Sequence, residues 1–302
     1  MLARADLLAK IRNFFLQRKV LEVDCPALSL TAPIDPHIDV MKVCLNDKIG
    51  YLHTSPEYRM KRLLSYGIKD IYQLSHVFRD HEFGRWHNPE FTMLEWYRID
   101  WPLEQIIRET LDLLQMTLGN LPIHTCTYQE AFIQATKIDC DTCSIQNLFD
   151  CLKAHEIQIS DTNWDRDSLI QLVMGSVVEP TLDPHYLTVI TDFPIEQAAL
   201  AKTRLVDQKL VACRFEIYYK TVEIANGYQE LTDPQENKLR IEKANQMRLS
   251  MGKEALPIDE KFIQDLELPP CCGVALGFDR LLALKHGLDN LKPILPFSWD
   301  ET

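Results

Sequence analysis

The segment FRDHEFGRWHNPEFTMLEWY, residues 78–97, constrains this chain more than any other. Read with the two-residue period of a β-strand, its second half sends Phe91, Met93, Glu95 and Tyr97 to one face and Thr92, Leu94 and Trp96 to the other. A carboxylate at Glu95 then lies among aromatic rings, where it needs a cation or a hydrogen-bond donor. The strand therefore predicts a pocket for an amine, and Arg79, on the short loop before it, suits a nucleotide phosphate.

Length and composition narrow the setting of that pocket. The 302 residues suffice for a sizeable core, and 46% hydrophobic content excludes disorder as the main state. No run is long enough to cross a bilayer, and MLARADLLAKIRNFF reads as an amphipathic helix, not a leader, so a cytoplasmic protein is expected. Nine cysteines without framework spacing fit a reducing compartment. A net charge of −12 opposes non-specific binding to nucleic acid, although Arg59, Lys61 and Arg62 form a candidate local basic patch. It leaves ATP open, because a few placed arginines and a divalent cation can meet its phosphates.

Pattern places the elements. A helix is expected over residues 3–19, a short apolar segment over 20–23 and a loop over 31–39. A helix starts at Ser55-Pro56-Glu57 and stops at Gly67, and a strand covers 71–78. Pro102 opens a helix to about Leu118. Residues 120–190 read as mostly helical, with a capping box at Thr127 and Glu130 and an amphipathic stretch over 165–178. Strands return at 187–191 and 214–219, then a charged helix over 234–252. The middle helices read as an insertion within one catalytic unit.

In RFEIYYKTVEIANGYQELTD, residues 214–233, a two-residue loop at Tyr219 and Lys220 would pair 216 with 223, setting Glu216 directly opposite Glu223. Two facing carboxylates repel unless a cation sits between them, and magnesium carrying phosphates would serve. An exposed hairpin with its charges offset by Lys220 is the plainer alternative. Asn226 and Gly227 suggest a bulge that turns Asn226 and Glu230 into the same cavity. In CCGVALGFDRLLALKHG, residues 271–287, Gly273 and Gly277 would let a ligand approach the backbone, and Arg280 stands at a helix start, where a phosphate suits it better than the helix dipole does.

Together these segments resemble the class II aminoacyl-tRNA synthetases, most specifically the lysyl subclass. VLEVDCPAL resembles the first class II motif, residues 78–97 the second and GVALGFDRL the third. The resemblance covers essentially the whole chain and implies an α+β fold, an antiparallel sheet flanked by helices. Because the core starts almost at residue 1, the expectation is one catalytic domain over 1–302, with no anticodon-binding domain before it and no tRNA substrate. That points to the EpmA-type ligases, which attach (R)-β-lysine to a lysine side chain of translation elongation factor P and work as homodimers.

The resemblance also implies residue roles. Arg79 would hold the α-phosphate of ATP, Phe91 would stack on adenine, His87 and Asn88 would line the nucleotide side, and Arg280 would face the terminal phosphates. Glu216 and Glu223 would hold Mg2+. Glu95, Tyr97, Asn226 and Glu230 would surround the substrate, with Glu57 near an amino group. Taken singly, Tyr97 and Phe91 also read as core aromatics and Glu57 as first-turn helix chemistry.

Two positions depart from the pattern. His81 stands where most relatives carry an acid, so Glu82 is expected to take over its contact with adenine. Ala275 stands where lysyl-tRNA synthetases carry glycine and the EpmA-type ligases alanine, and is expected to separate β-lysine from α-lysine. Cys140, Cys143, Cys151 and His155 superficially resemble a zinc set, but the short loop favours ordinary cysteines.

Overall fold

The computed structural model describes residues 1–159 and 164–301; residues 160–163 of the middle stretch and residue 302 lie outside the described residues. No helix in it is long and apolar enough to cross a membrane. The chain forms two compact units, one of residues 1–120, 199–202 and 225–302, the other of 121–198 and 203–224.

The first unit opens with α1 (Leu2–Gln17), β1 (Leu21–Glu22), β2 (Leu28–Ser29), β3 (Lys42–Leu45), β4 (Lys48–Leu52), α2 (Glu57–Ser65), β5 (Ile71–Phe78), β6 (Glu90–Ile99) and α3 (Leu103–Leu118). The second follows with β7 (Ile123–Thr127), α4 (Tyr128–Thr136), α5 (Ile145–Ala154), α6 (Arg166–Val173), β8 (Leu187–Pro194), β9 (Thr203–Val206) and β10 (Lys209–Tyr219). The chain returns along β11 (Val222–Gln229) to α7 (Pro234–Ser250), α8 (Glu260–Gln264), β12 (Cys271–Gly277) and α9 (Phe278–Lys285).

In the first unit the larger sheet has the strand order β1, β5, β6, β12, β11, all antiparallel except the parallel pair β1 and β5, and β2, β4 and β3 form a separate antiparallel sheet. Apolar burial fixes this register. Along β6, Leu94 and Trp96 are fully buried on one face while Met93, Glu95 and Tyr97 are buried on the other, so a one-residue slip would exchange the two sets. Helix α1 packs Leu7, Ile11, Phe14 and Phe15 inward, and Phe15 stacks on Tyr72 with ring centroids 4.4 Å apart. Burials of this size contribute roughly 1.5–3 kcal/mol per side chain. Helix α2 is secured by Tyr58, whose ring lies parallel to Phe262 at 4.3 Å, and Gly67 follows its end in a left-handed conformation (φ +87°).

The second unit packs α4, α5 and α6 on β8 and β10 through Phe132, Leu148, Leu152, Leu169, Val173, Phe193 and Ala212. Capping boxes start α4 at Thr127 with Glu130 and α5 at Ser144 with Asn147.

Two local expectations are corrected. The turn after β10 is made by Lys220 and Thr221, both left-handed (φ +50° and +62°), as a two-residue hairpin turn requires. The pairing from that turn sets Tyr218, not Glu216, opposite Glu223; the two glutamates are diagonal neighbours on one face. The ladder from β11 to β12 runs without a break through Asn226 and Gly227, so no bulge re-aims the chain there. The strand period alone puts Asn226 on the same face as Glu230. A register shift occurs instead in β10, between Ala212 and Phe215.

Candidate active site

Four strands of the first unit set one row of side chains. Glu95 on β6 is in register with Ala275 on β12, which is in register with Asn226 on β11, and Gln73 on β5 completes the row. The next row carries Tyr97 and Gly273. A Cβ on Gly273 would stand 2.7 Å from Tyr97 Cδ1 and 2.5 Å from Glu230 Oε1. The missing side chain is thus the seat of the Tyr97 ring, not a place for ligand against backbone, which corrects the expectation for this glycine.

Glu95 is 2% exposed. Its Oε2 accepts a hydrogen bond from Ser55 Oγ at 2.6 Å and its Oε1 one from the Tyr97 hydroxyl at 2.7 Å. Both donors are neutral. Burial, reinforced by the charge of Glu57, pushes the Glu95 carboxyl up to about 8. Beside it, the Lys61 ammonium is fully buried, 2.6 Å from Glu57 Oε1 and 2.6 Å from Glu230 Oε2. Burial disfavours that ammonium, but Glu230 and Glu57 outweigh the penalty and keep it charged. Burial raises Glu230 to about 7 against the opposing pull of Lys61. The result is an acidic pocket with one internal cation, the chemistry of an amine site.

Sequence reasoning placed Lys61 in a basic surface patch. The structure corrects this: Arg59 pairs with Asp259, Arg62 with Asp265 at 2.7 Å, and Lys61 points inward. The signal that could have found it is its position four residues after Glu57 on one helix. In the sequence pattern Ser55 only marks the start of this helix. Its hydroxyl does accept the Glu57 N–H at 3.0 Å, but also donates to Glu95.

The nucleotide-side residues gather in two pairs. The Arg79 guanidinium lies over the Phe91 ring, 5.0 Å from its centroid, with Glu82 Oε1 3.5 Å from Nη1. Its buried Nε has no hydrogen-bond partner among the described residues. Arg280, in the first turn of α9, lies 2.9 Å from His87 Nε2 and donates to the Trp86 carbonyl at 3.3 Å. Asn88 donates to the Glu90 carbonyl at 2.6 Å and so holds the loop. His81 is left-handed and its side chain is 78% exposed; Glu82, not His81, stands at Arg79. Asp279, which sequence reasoning passed over, ties the start of α9 to β6. Its Oδ2 accepts the Thr92 N–H at 2.6 Å, and its Oδ1 is 2.5 Å from Arg4 Nη1 on α1.

In the second unit Glu216 is buried, paired with Arg214 and hydrogen-bonded by the Tyr218 hydroxyl at 2.5 Å. Burial raises its pKa, Arg214 opposes that, and the Glu223 charge raises it further. Hard oxygen donors that repel one another on one strand face suit Mg2+, which takes one or two carboxylates and leaves its other positions to phosphate and water. Cys151 Sγ lies 3.9 Å from His155 Nδ1, but among the described residues the four proposed zinc donors do not gather; Asp139, Cys140 and Asp141 are the set that does.

The model for the class II tRNA synthetases (D, K and N) matches residues 1–301. The elongation factor P–(R)-β-lysine ligase of Proteus mirabilis is 42% identical over 306 residues, covering 98% of this chain and 94% of that protein. The ligase of the same name from Vibrio atlanticus is 42% identical over 308 residues (97% and 94%), and that from Hamiltonella defensa 41% over 308 residues (98% and 94%).

Proposed function

The chain belongs to the class II tRNA synthetases and, within them, to the elongation factor P–(R)-β-lysine ligases, and from that premise we propose how its residues carry the reaction. It activates (R)-β-lysine with ATP as an adenylate and transfers it to a lysine side chain of elongation factor P. The observation that carries the substrate reading is the acidic pocket formed by the half-buried Glu57 with the buried Glu95 and Glu230.

The substrate carboxylate attacks the α-phosphorus of ATP, pyrophosphate leaves, and a mixed anhydride forms. Arg79 holds the α-phosphate; its unpartnered Nε supports this role. Phe91 stacks on adenine, with Glu82 at its amino group. His87, Asn88 and Arg280 hold the phosphate side. Glu216 and Glu223 are the residues that would hold Mg2+, which when bound neutralises phosphate charge. Glu95, Tyr97, Asn226 and Glu230 enclose the substrate, Glu57 meets an amino group, and Ala275 limits the space beside it. In the second step the neutral amine of the acceptor lysine attacks the activated carbonyl and AMP leaves. Positioning and charge suffice, and no enzyme nucleophile takes part.

We place the enzyme in the cytoplasm as a homodimer that does not act on tRNA; nine cysteines without framework spacing fit a reducing compartment. ATP–pyrophosphate exchange with (R)-β-lysine and L-α-lysine in parallel, then transfer to elongation factor P, tests the reading. Strong exchange with the β isomer and modification of the factor are expected. Silence with both isomers at saturating magnesium would overturn it.

A further inference from the structure

The pocket holds three carboxylates, and one of its charges is already answered from within. Lys61 is 0% exposed and touches both Glu57 and Glu230 at 2.6 Å. Each partner is fixed by its own backbone. Glu57 opens α2 one turn before Lys61, and Glu230 is tied by its N–H to the Cys271 carbonyl at 2.9 Å and by a bridge to Ala201. Among the described residues, Glu95 has the neutral donors Ser55 and Tyr97 and no cation in contact. The other cations of α2, Arg59 and Arg62, are committed to Asp259 and Asp265.

A buried ion pair is a weak source of stability, because desolvation cancels most of the attraction. It is well suited to setting charge and register. We infer that Lys61 is a positioning residue that sets substrate specificity: it locks Glu57 and Glu230 as a pair and, once Glu95 ionises against an incoming ammonium, leaves the pocket two uncompensated negative charges instead of three, the number that a diamine's two ammonium groups can answer. The inference rests on the β-lysine ligase reading above and assigns the diamine requirement to a residue of the enzyme that the substrate need not touch. Without the internal cation three carboxylates repel one another, and the pair loses its fixed geometry.

The test is pyrophosphate exchange by the full chain with Lys61→Ala and Lys61→Gln, the latter keeping a donor for Glu57 without charge. The KM for (R)-β-lysine should rise at least tenfold in either variant, with the KM for ATP within about twofold of wild type. Propylammonium, which matches the atoms removed by Lys61→Ala, should lower the raised KM of that variant while only inhibiting the wild type. Circular dichroism identifies which variants fold, and one folded variant suffices. An unchanged KM for β-lysine, or a parallel rise in both KM values, overturns the role. A collapse of both variants, not reversed by propylammonium, also overturns it, since Lys61 would then serve folding alone. Wild-type enzyme silent with β-lysine would sink the functional reading itself, a result distinct from all of these.

Discussion

Replacing Glu95 with glutamine should make the protein more stable at alkaline pH and nearly inactive. In the folded state this carboxyl titrates at about 8, against an ordinary 4.5, because it is buried and faces Glu57. Between those values the folded protein keeps a proton that the unfolded chain has released, so stability falls as pH rises. At about 1.4 kcal/mol per tenfold, the full difference is roughly 5 kcal/mol above pH 8 and nothing below 4.5. Glutamine copies the protonated form and escapes that loss. Its amide group faces two hydroxyls that now both donate, Ser55 and Tyr97, and turning one of them costs about 1 kcal/mol. The net gain is on the order of 3 kcal/mol at pH 8, or about 6 °C in Tm, vanishing toward pH 5. Thermal melts of both proteins from pH 5 to pH 8.5, without ligand, measure it. A Tm difference that does not change over that range would refute the reasoning, because Glu95 would then titrate like a surface acid. The variant should lose at least 100-fold in kcat/KM for (R)-β-lysine, since the amide, unlike the carboxyl, cannot release a proton to pair with an incoming ammonium.

Other positions give independent outcomes. Gly273→Ala drives a methyl into the Tyr97 ring and should cost about 1–3 kcal/mol in urea unfolding, with a rise in the KM for β-lysine and little change in that for ATP. Arg4→Ala leaves the buried Asp279 carboxylate without its cation; a loss of about 3 kcal/mol and a raised KM for ATP are expected, and an unchanged ATP KM would separate α1 from the nucleotide site. Ala275→Gly should shift the ratio of exchange with L-α-lysine to that with (R)-β-lysine by about tenfold toward the α isomer. Glu223→Gln should raise the magnesium needed for half-maximal exchange about tenfold, leaving the KM for β-lysine unchanged.

The legible parts of the structure were those that a local period can encode. Strand β5 occupies residues 71–78 as the alternation predicted, and the Thr127 box caps α4 as its spacing required. What failed needed information from outside the window. The hairpin slipped by one residue because Lys220 and Thr221 adopt left-handed backbone without the Asn-Gly signal that usually announces it. Lys61 read as a surface charge because one of its partners, Glu230, lies far along the chain on another element. Gly273 was legible as a close approach, but whether ligand or ring fills the space depends on the β6 and β12 register, which no single segment contains.

The row of Gln73, Glu95, Ala275 and Asn226 acts as a ruler whose graduations are strands, about 4.8 Å apart. Moving an amino group along a substrate by one carbon shifts it by about 1.5 Å, a third of a graduation. No exchange of one strand's side chain for the next can follow so small a step. Selection between isomers in this sheet must therefore work through bulk added or removed at a single mark, and a methyl group is the increment of the right size.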